Sequence, residues 1–359
     1  MKIIKKAAAL LMVAVMSLSV AGCHKKDEIA VTINGIEFTS AYYMCALINA
    51  YMEAKSLVYE DLSDEEKQQS DIDYYSKKVE DTDYVEWVEN RAIEQLKKIA
   101  SYKLLCEENG VEPDEELLNN AETNASYYWS GYGYSVYFEP NGVGEKTYIN
   151  YAKDSVYSET YFEYLYGEGG EKEISADDVK TKIYDNFLIA NILEADYEDD
   201  ATDEEKAALK TKLENYAKQL ESGEKTFEEV YNDYNGVTAE APEMSTEEGS
   251  AKDKYAQVIG SEDTNYSSTH YETIKAMKTG ETKVQDNESS TGLYLFVKQD
   301  IQADPFYLTD LDMEARHLIA DEEYEKLIEE YADKLEPDIN NYAVNQFKVK
   351  KIVDPTASA

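Results

Sequence analysis

The order in which helical and strand patterns follow one another constrains the fold of this chain most strongly. Apolar residues spaced three and four apart predict long helices near residues 39–57 and 82–109, with further helices up to about residue 166. After the glycine-rich break at 167–170, helices alternate with strand patterns, of which 292–298 is the strongest, and helical spacing returns at 321–335. We find no internal repeat. The order helical, mixed, helical predicts an α+β fold in which an α/β domain is inserted into a helical module.

The first 23 residues carry the pattern of a secretory signal. Lys2, Lys5 and Lys6 precede an apolar run over residues 7–20, which is shorter than the ~20 residues that span a bilayer. The run closes on Val-Ala-Gly-Cys at 20–23, which resembles the bacterial lipobox. That resemblance implies cleavage before Cys23, a diacylglycerol on its sulfur and an acyl chain such as palmitate on the new N-terminus. We therefore expect a lipoprotein anchored on the extracytoplasmic face of the cell membrane; the alternative is a plain signal peptide with a coincidental cysteine.

The net charge of the chain restricts which classes of molecule it can bind. The formal net charge is −40, so the surface repels nucleic acid and anionic lipid headgroups and favours neutral or basic partners. The same charge is also typical of a soluble, acidic secreted protein. Cys45 and Cys106 either form a disulfide or stay as small buried thiols, because spacing alone does not decide between the two. A homodimer is left open.

Six short phrases occur in the order and spacing of one known family. Outside the middle domain they are V-T-I-N-G-I-E-F-T at 31–39, similar to V-x-x-V-N-G-x-x-I-T, and N-G-V-E-P-D-E-E-L at 109–117, similar to G-I-x-V-T-D-E-E-I. Inside it, A-N-I-L at 190–193 resembles A-x-H-I-L, 220–234 resembles L-x-x-G-x-x-F-x-x-L-A-x-x-Y-S, M-K-T-G-E at 277–281 resembles L-K-x-G-E, and G-L-Y-L at 292–295 resembles G-Y-H-I. Together they make the chain resemble the parvulin-type foldases of the cell envelope, the group that includes SurA and PrsA.

This resemblance implies a domain organisation and a function. Residues 23–173 and 302–355 would form one helical chaperone module, with a parvulin-like domain at 174–301 inserted between them, a signal peptide at 1–22 and a tail at 356–359. The protein would then be a membrane-anchored foldase or chaperone that binds unfolded or newly secreted polypeptides. Two other functions stay open: an active peptidyl-prolyl cis–trans isomerase of the same architecture, and a solute-binding lipoprotein of a transporter, which would show two α/β lobes of similar size.

The chemistry of the parvulin-like domain is expected to be weak or absent. Rotation about a peptide bond crosses a barrier of ~18–20 kcal/mol, and the family frames its proline slot with two histidines and a cysteine or aspartate between them. By the resemblance, Asn191 stands at the first histidine, Tyr294 at the second and Val237 at the middle position. An amide forms hydrogen bonds but does not titrate, and tyrosine is bulkier than histidine. We therefore expect no working catalytic residue and no cofactor.

Client binding is the activity that the resemblance leaves to the helical module. Aromatic side chains offer contact area with few rotatable bonds to freeze, and the candidate client-binding residues are Tyr127, Tyr128, Trp129, Tyr132, Tyr134 and Tyr137. The alternative is that several of them pack in the core of the module. His24, His270 and His317 lie far apart in sequence without a neighbouring cysteine, so we expect no metal site.

Overall fold

The structure is a computed structural model that describes residues 27–69, 72–198, 200–236, 253–261, 268–287 and 291–355. The predicted signal peptide, Cys23, His24, Val237 and the tail from 356 lie outside the described residues. Within the described part of the chain, no helix combines the length and the apolarity that a membrane crossing requires.

Helices dominate the described residues. They are α1 (Ser40–Asp61), α2 (Asp64–Lys67), α3 (Tyr84–Asn109), α4 (Glu115–Ser130), α5 (Ser135–Phe138), α6 (Glu145–Lys153), α7 (Val156–Tyr166), α8 (Ala176–Asn186), α9 (Asp203–Glu221), α10 (Phe227–Asn235), α11 (Ser268–Ala276), α12 (Phe306–Asp310), α13 (Asp312–Ala332) and α14 (Asn341–Val344). The strands are β1 (Ile29–Ile33), β2 (Ile36–Thr39), β3 (Lys78–Val79), β4 (Thr82–Asp83), β5 (Phe187–Asp196), β6 (Ala256–Gly260), β7 (Thr282–Asp286), β8 (Gly292–Gln299) and β9 (Pro337–Ile339). The fold is α+β, which confirms the predicted class.

The chain divides into two compact units. The described residues of the first unit lie within Met1–Phe162 and Glu325–Ala359, and the second unit is Glu163–Tyr324. The second unit starts before residue 174 and ends after residue 301, the limits that the sequence suggested. One reason is Arg316 on α13, whose guanidinium donates to the carbonyl oxygens of Tyr166 at 2.6 Å and Ile174 at 3.0 Å. These hydrogen bonds tie both flanks of the predicted domain into the second unit.

The first unit is organised around α1. This helix begins at the cap residue Thr39, whose Oγ1 accepts from the backbone N–H of Tyr42 at 3.3 Å. Twelve of its 22 residues are buried, far more than the single stripe of a surface helix. α1 is therefore a central helix, with α3 packed beside it. Each large apolar side chain buried in this way contributes about 1.5–3 kcal/mol to folding.

The C-terminal segment joins the first unit through hydrogen bonds between the backbones of two strands. β9 pairs antiparallel with β1, giving a three-stranded sheet in the order β2-β1-β9. The sequence missed β9 because it opens on Pro337, and proline is tolerated only at a sheet edge. Residues 347–353, in which apolar side chains and lysines are mixed as in an edge strand, do not form a strand. There the chain makes a 3-10 turn at Val349–Lys351, and the side-chain amide of Asn141 bonds both the N–H and the C=O of Val353, at 2.8 and 2.9 Å.

The second unit is built on one antiparallel sheet with the strand order β6-β5-β8-β7. Because side chains alternate along a strand, the two faces of β5 and β8 take different partners. On one face Leu193 and Leu295 pack with Leu213 of α9 and Val230 of α10; we call this the α9–α10 face. On the other face, the α11 face, lie the residues that pack with α11. These are Ala190, Ile192 and Phe296 from the sheet, with Tyr271, Ile274 and Met277 from α11 and the residue after it.

Candidate functional site: an exposed tyrosine cluster

Asn191 and Tyr294 lie on opposite faces of the sheet. Asn191 on β5 pairs with Val297 of β8, whereas Tyr294 pairs with Glu194, so the two positions are offset by three residues in register. An odd offset places the side chains on different faces: Asn191 on the α9–α10 face and Tyr294 on the α11 face, against Phe296. The expectation that these two residues frame one cleft is therefore wrong.

Asn191 is part of a buried polar contact. Its side chain is almost wholly buried, and its Nδ2 donates to Asp253 Oδ2 at 2.8 Å. Its Oδ1 has no hydrogen-bond partner among the described residues. The other Asp253 oxygen accepts from the backbone N–H of Tyr255 at 2.9 Å. The amide therefore fixes the entry into β6 instead of facing the position of Tyr294.

Tyr294 belongs to a polar–aromatic group on the α11 face. Its hydroxyl donates to Glu194 Oε1 at 3.1 Å. The ring of His270 from α11 meets it edge-on, with centroids 5.0 Å apart, and His270 Nε2 lies 3.4 Å from the carbonyl oxygen of Asp286. Sequence reasoning gave His270 no role at this face, because 24 residues separate it from Tyr294 and only the packing of α11 brings them together.

The register also bears on the alignment of the first histidine position. If Ala190 is aligned with the alanine of A-x-H-I-L, the histidine position falls on Ile192, not on Asn191. Ile192 does lie on the α11 face, paired with Phe296 and buried with it. An isoleucine neither donates nor accepts a hydrogen bond. With that alignment, the α11 face presents an aliphatic side chain and a tyrosine at the two histidine positions.

Four tyrosines at the junction of α4 and α5 form an exposed aromatic surface. Tyr127, Tyr128, Tyr132 and Tyr134 are exposed by 61%, 44%, 65% and 42%; we call them the tyrosine cluster. Their rings touch one another: centroids are 5.3 Å apart for Tyr127 and Tyr132, 5.3 Å for Tyr128 and Tyr132, and 5.6 Å for Tyr128 and Tyr134. Such contacts between rings order the side chains without burying them.

The tyrosine cluster is anchored in the core of the first unit. The ring of Tyr134 lies 6.0 Å from that of the buried Tyr148, which in turn contacts Trp129 at 5.4 Å and Phe138 at 4.9 Å. Trp129 and Phe138 belong to the main core, and α4 packs against α6. The exposed rings are therefore held by a continuous aromatic stack.

Two of the six predicted client-binding residues are not surface residues. Trp129 is only 6% exposed, and Tyr137 packs, half-buried, against the core. On α4, Trp129 follows Tyr128 by one residue and so points about 100° away from it, towards the core. Although it is rich in glycine and tyrosine, the segment 124–148 is mostly the end of α4, α5 and the start of α6.

Two glycines allow the chain to turn beneath the exposed rings. A Cβ placed on Gly131 would lie 2.9 Å from the carbonyl oxygen of Tyr127 and 2.9 Å from Cε2 of its ring. Gly133 has φ +72°, in the left-handed region that side chains disfavour. The two glycines in Ser-Gly-Tyr-Gly-Tyr at 130–134 thus leave room for the ring of Tyr127 to lie against the end of α4.

The charged residues in the segment that carries the tyrosine cluster are all acidic. Residues 104–145 contain nine aspartates and glutamates and no lysine or arginine. Glu122 forms an ion pair with Lys153 of α6 at 2.6 Å, so part of this charge is balanced from outside the segment. Six of the nine lie before α4 or in its first turn, away from the cluster. The three nearest along the chain, Glu122, Glu139 and Glu145, favour neutral or cationic groups there.

Both thiols in the described part of the chain are unpaired and buried. Cys45 Sγ lies 3.5 Å from the carbonyl oxygen of Ala41, and Cys106 Sγ lies 3.5 Å from that of Tyr157. Burial raises the pKa of Cys45 and raises that of Cys106 to about 11, so neither is a reactive thiolate near neutral pH. Among the described residues, no group of histidine, cysteine and acidic side chains is arranged to hold a metal ion.

No family model matches the sequence, and no curated protein matches it. Several solved structures are similar, among them three of foldase proteins. The foldase protein PrsA from Lactococcus lactis is 13% identical, with a TM-score of 0.38 and coverage of 89% of this chain and 99% of that one. The foldase protein PrsA from Streptococcus pneumoniae is 14% identical, with a TM-score of 0.38 and coverage of 79% and 95%, and PrsA from Bacillus subtilis is 14% identical, with a TM-score of 0.33 and coverage of 77% and 91%. Similarities at TM-scores this low do not assign a function to the chain.

Proposed function

We propose that the protein is an extracytoplasmic chaperone of the foldase type, which binds unfolded or newly secreted polypeptides with its first unit. The observation that carries this proposal is the tyrosine cluster. Its four rings contact one another, and each is more than two-fifths exposed. Through Tyr134 they also pack against the buried ring of Tyr148. Monomeric soluble proteins rarely leave such contiguous aromatic surface uncovered unless it binds something. Unfolded chains differ from folded ones in exposing apolar side chains, and rigid aromatic rings bind these at little entropic cost.

The inserted unit, in this proposal, contributes architecture rather than catalysis. With Ile192 and Tyr294 on the α11 face and Asn191 on the other, no pair of titratable groups stands where the resemblance places the two histidines. A catalyst of proline isomerisation has to favour a twisted amide through polar groups beside the proline slot. The aliphatic side chain of Ile192 does not supply such a polar group.

The membrane anchor is proposed from the sequence, through lipid on Cys23. An acidic chain gains nothing from anionic headgroups, and each buried methylene of an acyl chain contributes about 0.8 kcal/mol to membrane binding. In a bacterial host fed a clickable palmitate analogue, we expect the wild type to be labelled and to sediment with membranes. Cys23→Ala should lose the label. A Cys23→Ala variant that stays labelled would refute the anchor.

Suppression of aggregation tests the chaperone function. The soluble chain that begins after Cys23 should slow light scattering by a chemically unfolded client protein. Replacing Tyr127, Tyr128 and Tyr132 together by serine should remove most of this effect. Tyr342→Ser is the matched control, because Tyr342 is 66% exposed but lies outside the tyrosine cluster.

Two results would overturn the proposal. One is a wild-type chain that does not slow aggregation at several-fold molar excess. The other is a triple serine variant as active as the wild type. Circular dichroism of the triple variant should match the wild type, since the three rings are surface groups.

A further inference from the structure

The three most exposed rings are too close together to enclose a ligand. The centroids of Tyr127, Tyr128 and Tyr132 lie 5.3–6.4 Å from one another, so the rings are in mutual contact. A cation held between aromatic rings must fit within about 6 Å of each ring's centre, with space for the cation itself. The geometry therefore excludes an aromatic cage and leaves the outer faces of the rings as the binding surface.

Tyrosine rings elsewhere in the described chain are commonly covered by lysine. Lys212 lies 4.8 Å above the ring of Tyr234, and Lys254 lies 5.0 Å above that of Tyr255. No lysine or arginine among the described residues lies over any ring of the tyrosine cluster. The ring faces of the cluster are thus not occupied by cations from the described part of the chain.

The charge around the cluster favours a cation brought by a partner. Near the cluster along the chain, residues 117–145 carry Glu122, Glu139 and Glu145 and no lysine or arginine, within a chain of net charge −40. Such a field raises the local concentration of cationic segments and repels acidic ones. A lysine or arginine that arrives there meets the negative face of a tyrosine ring, an attraction that is stronger for aromatic than for aliphatic surfaces.

We propose that the tyrosine cluster selects unfolded segments in which lysine or arginine lies beside apolar residues, with the cation on the outer face of a ring and the apolar neighbour against its edge. This inference rests on the proposed chaperone function and names the class of client. It assigns discrimination between basic and neutral segments to Tyr127, Tyr128 and Tyr132.

Fluorescence anisotropy with matched peptides tests the selection. Three labelled, unstructured peptides would share their apolar residues and differ at two positions, which carry lysine, norleucine or glutamate. The lysine peptide should bind most tightly and the glutamate peptide most weakly. The contribution of a cation–π contact at an exposed site corresponds to about a two- to fivefold change in Kd per ring.

Aromatic and aliphatic variants then locate the effect. Replacing the three tyrosines by leucine keeps apolar area but removes the aromatic faces, so the lysine peptide should weaken while the norleucine peptide binds nearly as before. Replacing them by phenylalanine should retain the preference for lysine. Tyr342→Leu is the control for an exposed tyrosine outside the cluster, and tryptophan fluorescence from Trp129 reports that the stack beneath is intact.

The outcomes separate this inference from the chaperone function. If the norleucine peptide binds the wild type as tightly as the lysine peptide, or if the leucine variant keeps the lysine preference, the proposed selection is wrong although client binding stands. If no peptide binds the wild type, both proposals fail. If the leucine variant does not fold, the Kd values of the three peptides for the wild type and for the phenylalanine variant still test the selection. Equal Kd values for the three peptides would refute it.

Discussion

Lys55 Nζ lies 2.5 Å from Asp354 Oδ2, an ion pair that joins the central helix α1 to the end of the described chain. The two side chains are 16% and 3% exposed. The hydroxyl of Tyr51, one turn earlier on α1, donates to the same carboxylate oxygen at 3.1 Å. The C-terminal segment is therefore held within the first unit by this buried carboxylate, by the hydrogen bonds between Asn141 and Val353, and by the pairing of β9 with β1.

Removing the carboxylate should destabilise the first unit. In Asp354→Ala the ammonium of Lys55 and the hydroxyl of Tyr51 lose their shared acceptor while remaining largely buried. Breaking a buried pair on one side destabilises proteins by about 3–5 kcal/mol, and the partial exposure of Lys55 reduces our expectation to about 2–3 kcal/mol. Denaturant unfolding followed by tryptophan fluorescence measures this, because both tryptophans of the chain, Trp87 and Trp129, lie in the first unit.

A matched control exists in the same segment. Asp338 on β9 is exposed, so Asp338→Ala should change the free energy of unfolding by no more than about 0.5 kcal/mol. Equal unfolding midpoints for Asp354→Ala and the wild type would mean that the ion pair contributes nothing to stability.

The helices predicted near residues 39–57 and 82–109 are present as α1 and α3, and local signals mark their ends. Thr39 caps α1, and Gly110, with φ 68°, ends α3 in the left-handed conformation that glycine favours. The α+β class also followed from the alternation of patterns. These features depend on neighbours within a few residues, so the sequence contains the information directly.

Features set by long-range packing were not predictable in the same way. The environment of Trp129 depended on which side of α4 meets α6, and its neighbour Tyr128 is also aromatic but lies at the surface. The faces of Asn191 and Ile192 depended on strand register, where a shift of one residue exchanges buried faces. Matching the alanine of A-x-H-I-L to Ala190 puts the histidine position on Ile192, whereas matching its I-L to Ile192-Leu193 puts it on Asn191. A phrase of four residues does not distinguish these two registers.

The inserted unit should not accelerate proline isomerisation. Ile192 and Tyr294 occupy the α11 face, and Asn191 is buried on the other with its amide on Asp253. The polar groups on the α11 face, Tyr294, Glu194 and His270, therefore do not reproduce the two histidines that the resemblance implies. A coupled-protease or NMR exchange assay on an X-Pro peptide should give the uncatalysed rate with the soluble chain. Tyr294→Phe, which removes only the hydroxyl bonded to Glu194, should leave that rate unchanged. Turnover by the wild type that Tyr294→Phe abolishes would restore the isomerase alternative.

The cap of α2 should respond to acid at unusually low pH. The hydrogen bond from Lys77 Nζ to Glu66 at 2.8 Å, followed by bonds from the backbone and side chain of Ser63, lowers the pKa of Glu66 from 4.5 to about 2. Because this pKa is lowered in the folded state, the contribution of Glu66 to stability is present above about pH 4.5 and is lost as pH falls towards 2.

NMR titration of the side-chain carboxyl carbon measures this pKa directly, with Glu66→Gln identifying the signal. In Lys77→Met the pKa of Glu66 should rise towards 4.5 without reaching it, because Ser63 still donates two hydrogen bonds. A pKa that stays at about 2 without Lys77 would show that the hydrogen bond from Lys77 is not the main cause of the lowered value. High salt should raise the wild-type value in the same direction, since exposed charges are screened.

The two glycines beneath the exposed rings should matter for binding more than for folding. Gly131→Ala places a methyl group 2.9 Å from the carbonyl oxygen and the ring of Tyr127, so both the last turn of α4 and the ring must shift, and the contact of the ring with Tyr132 is disturbed. Gly133→Ala forces a side chain into the left-handed region, at a cost of about 1–2 kcal/mol. We expect both variants to weaken peptide binding several-fold.

Gly144→Ala is the matched control, because Gly144 has an ordinary φ of −92° and no atom near its added Cβ. Since Gly131 and Gly133 act by positioning Tyr127 and Tyr132, combining Gly131→Ala with Tyr127→Ser should weaken binding no further than Tyr127→Ser alone, and full additivity of the two changes would show that Gly131 acts through some other contact.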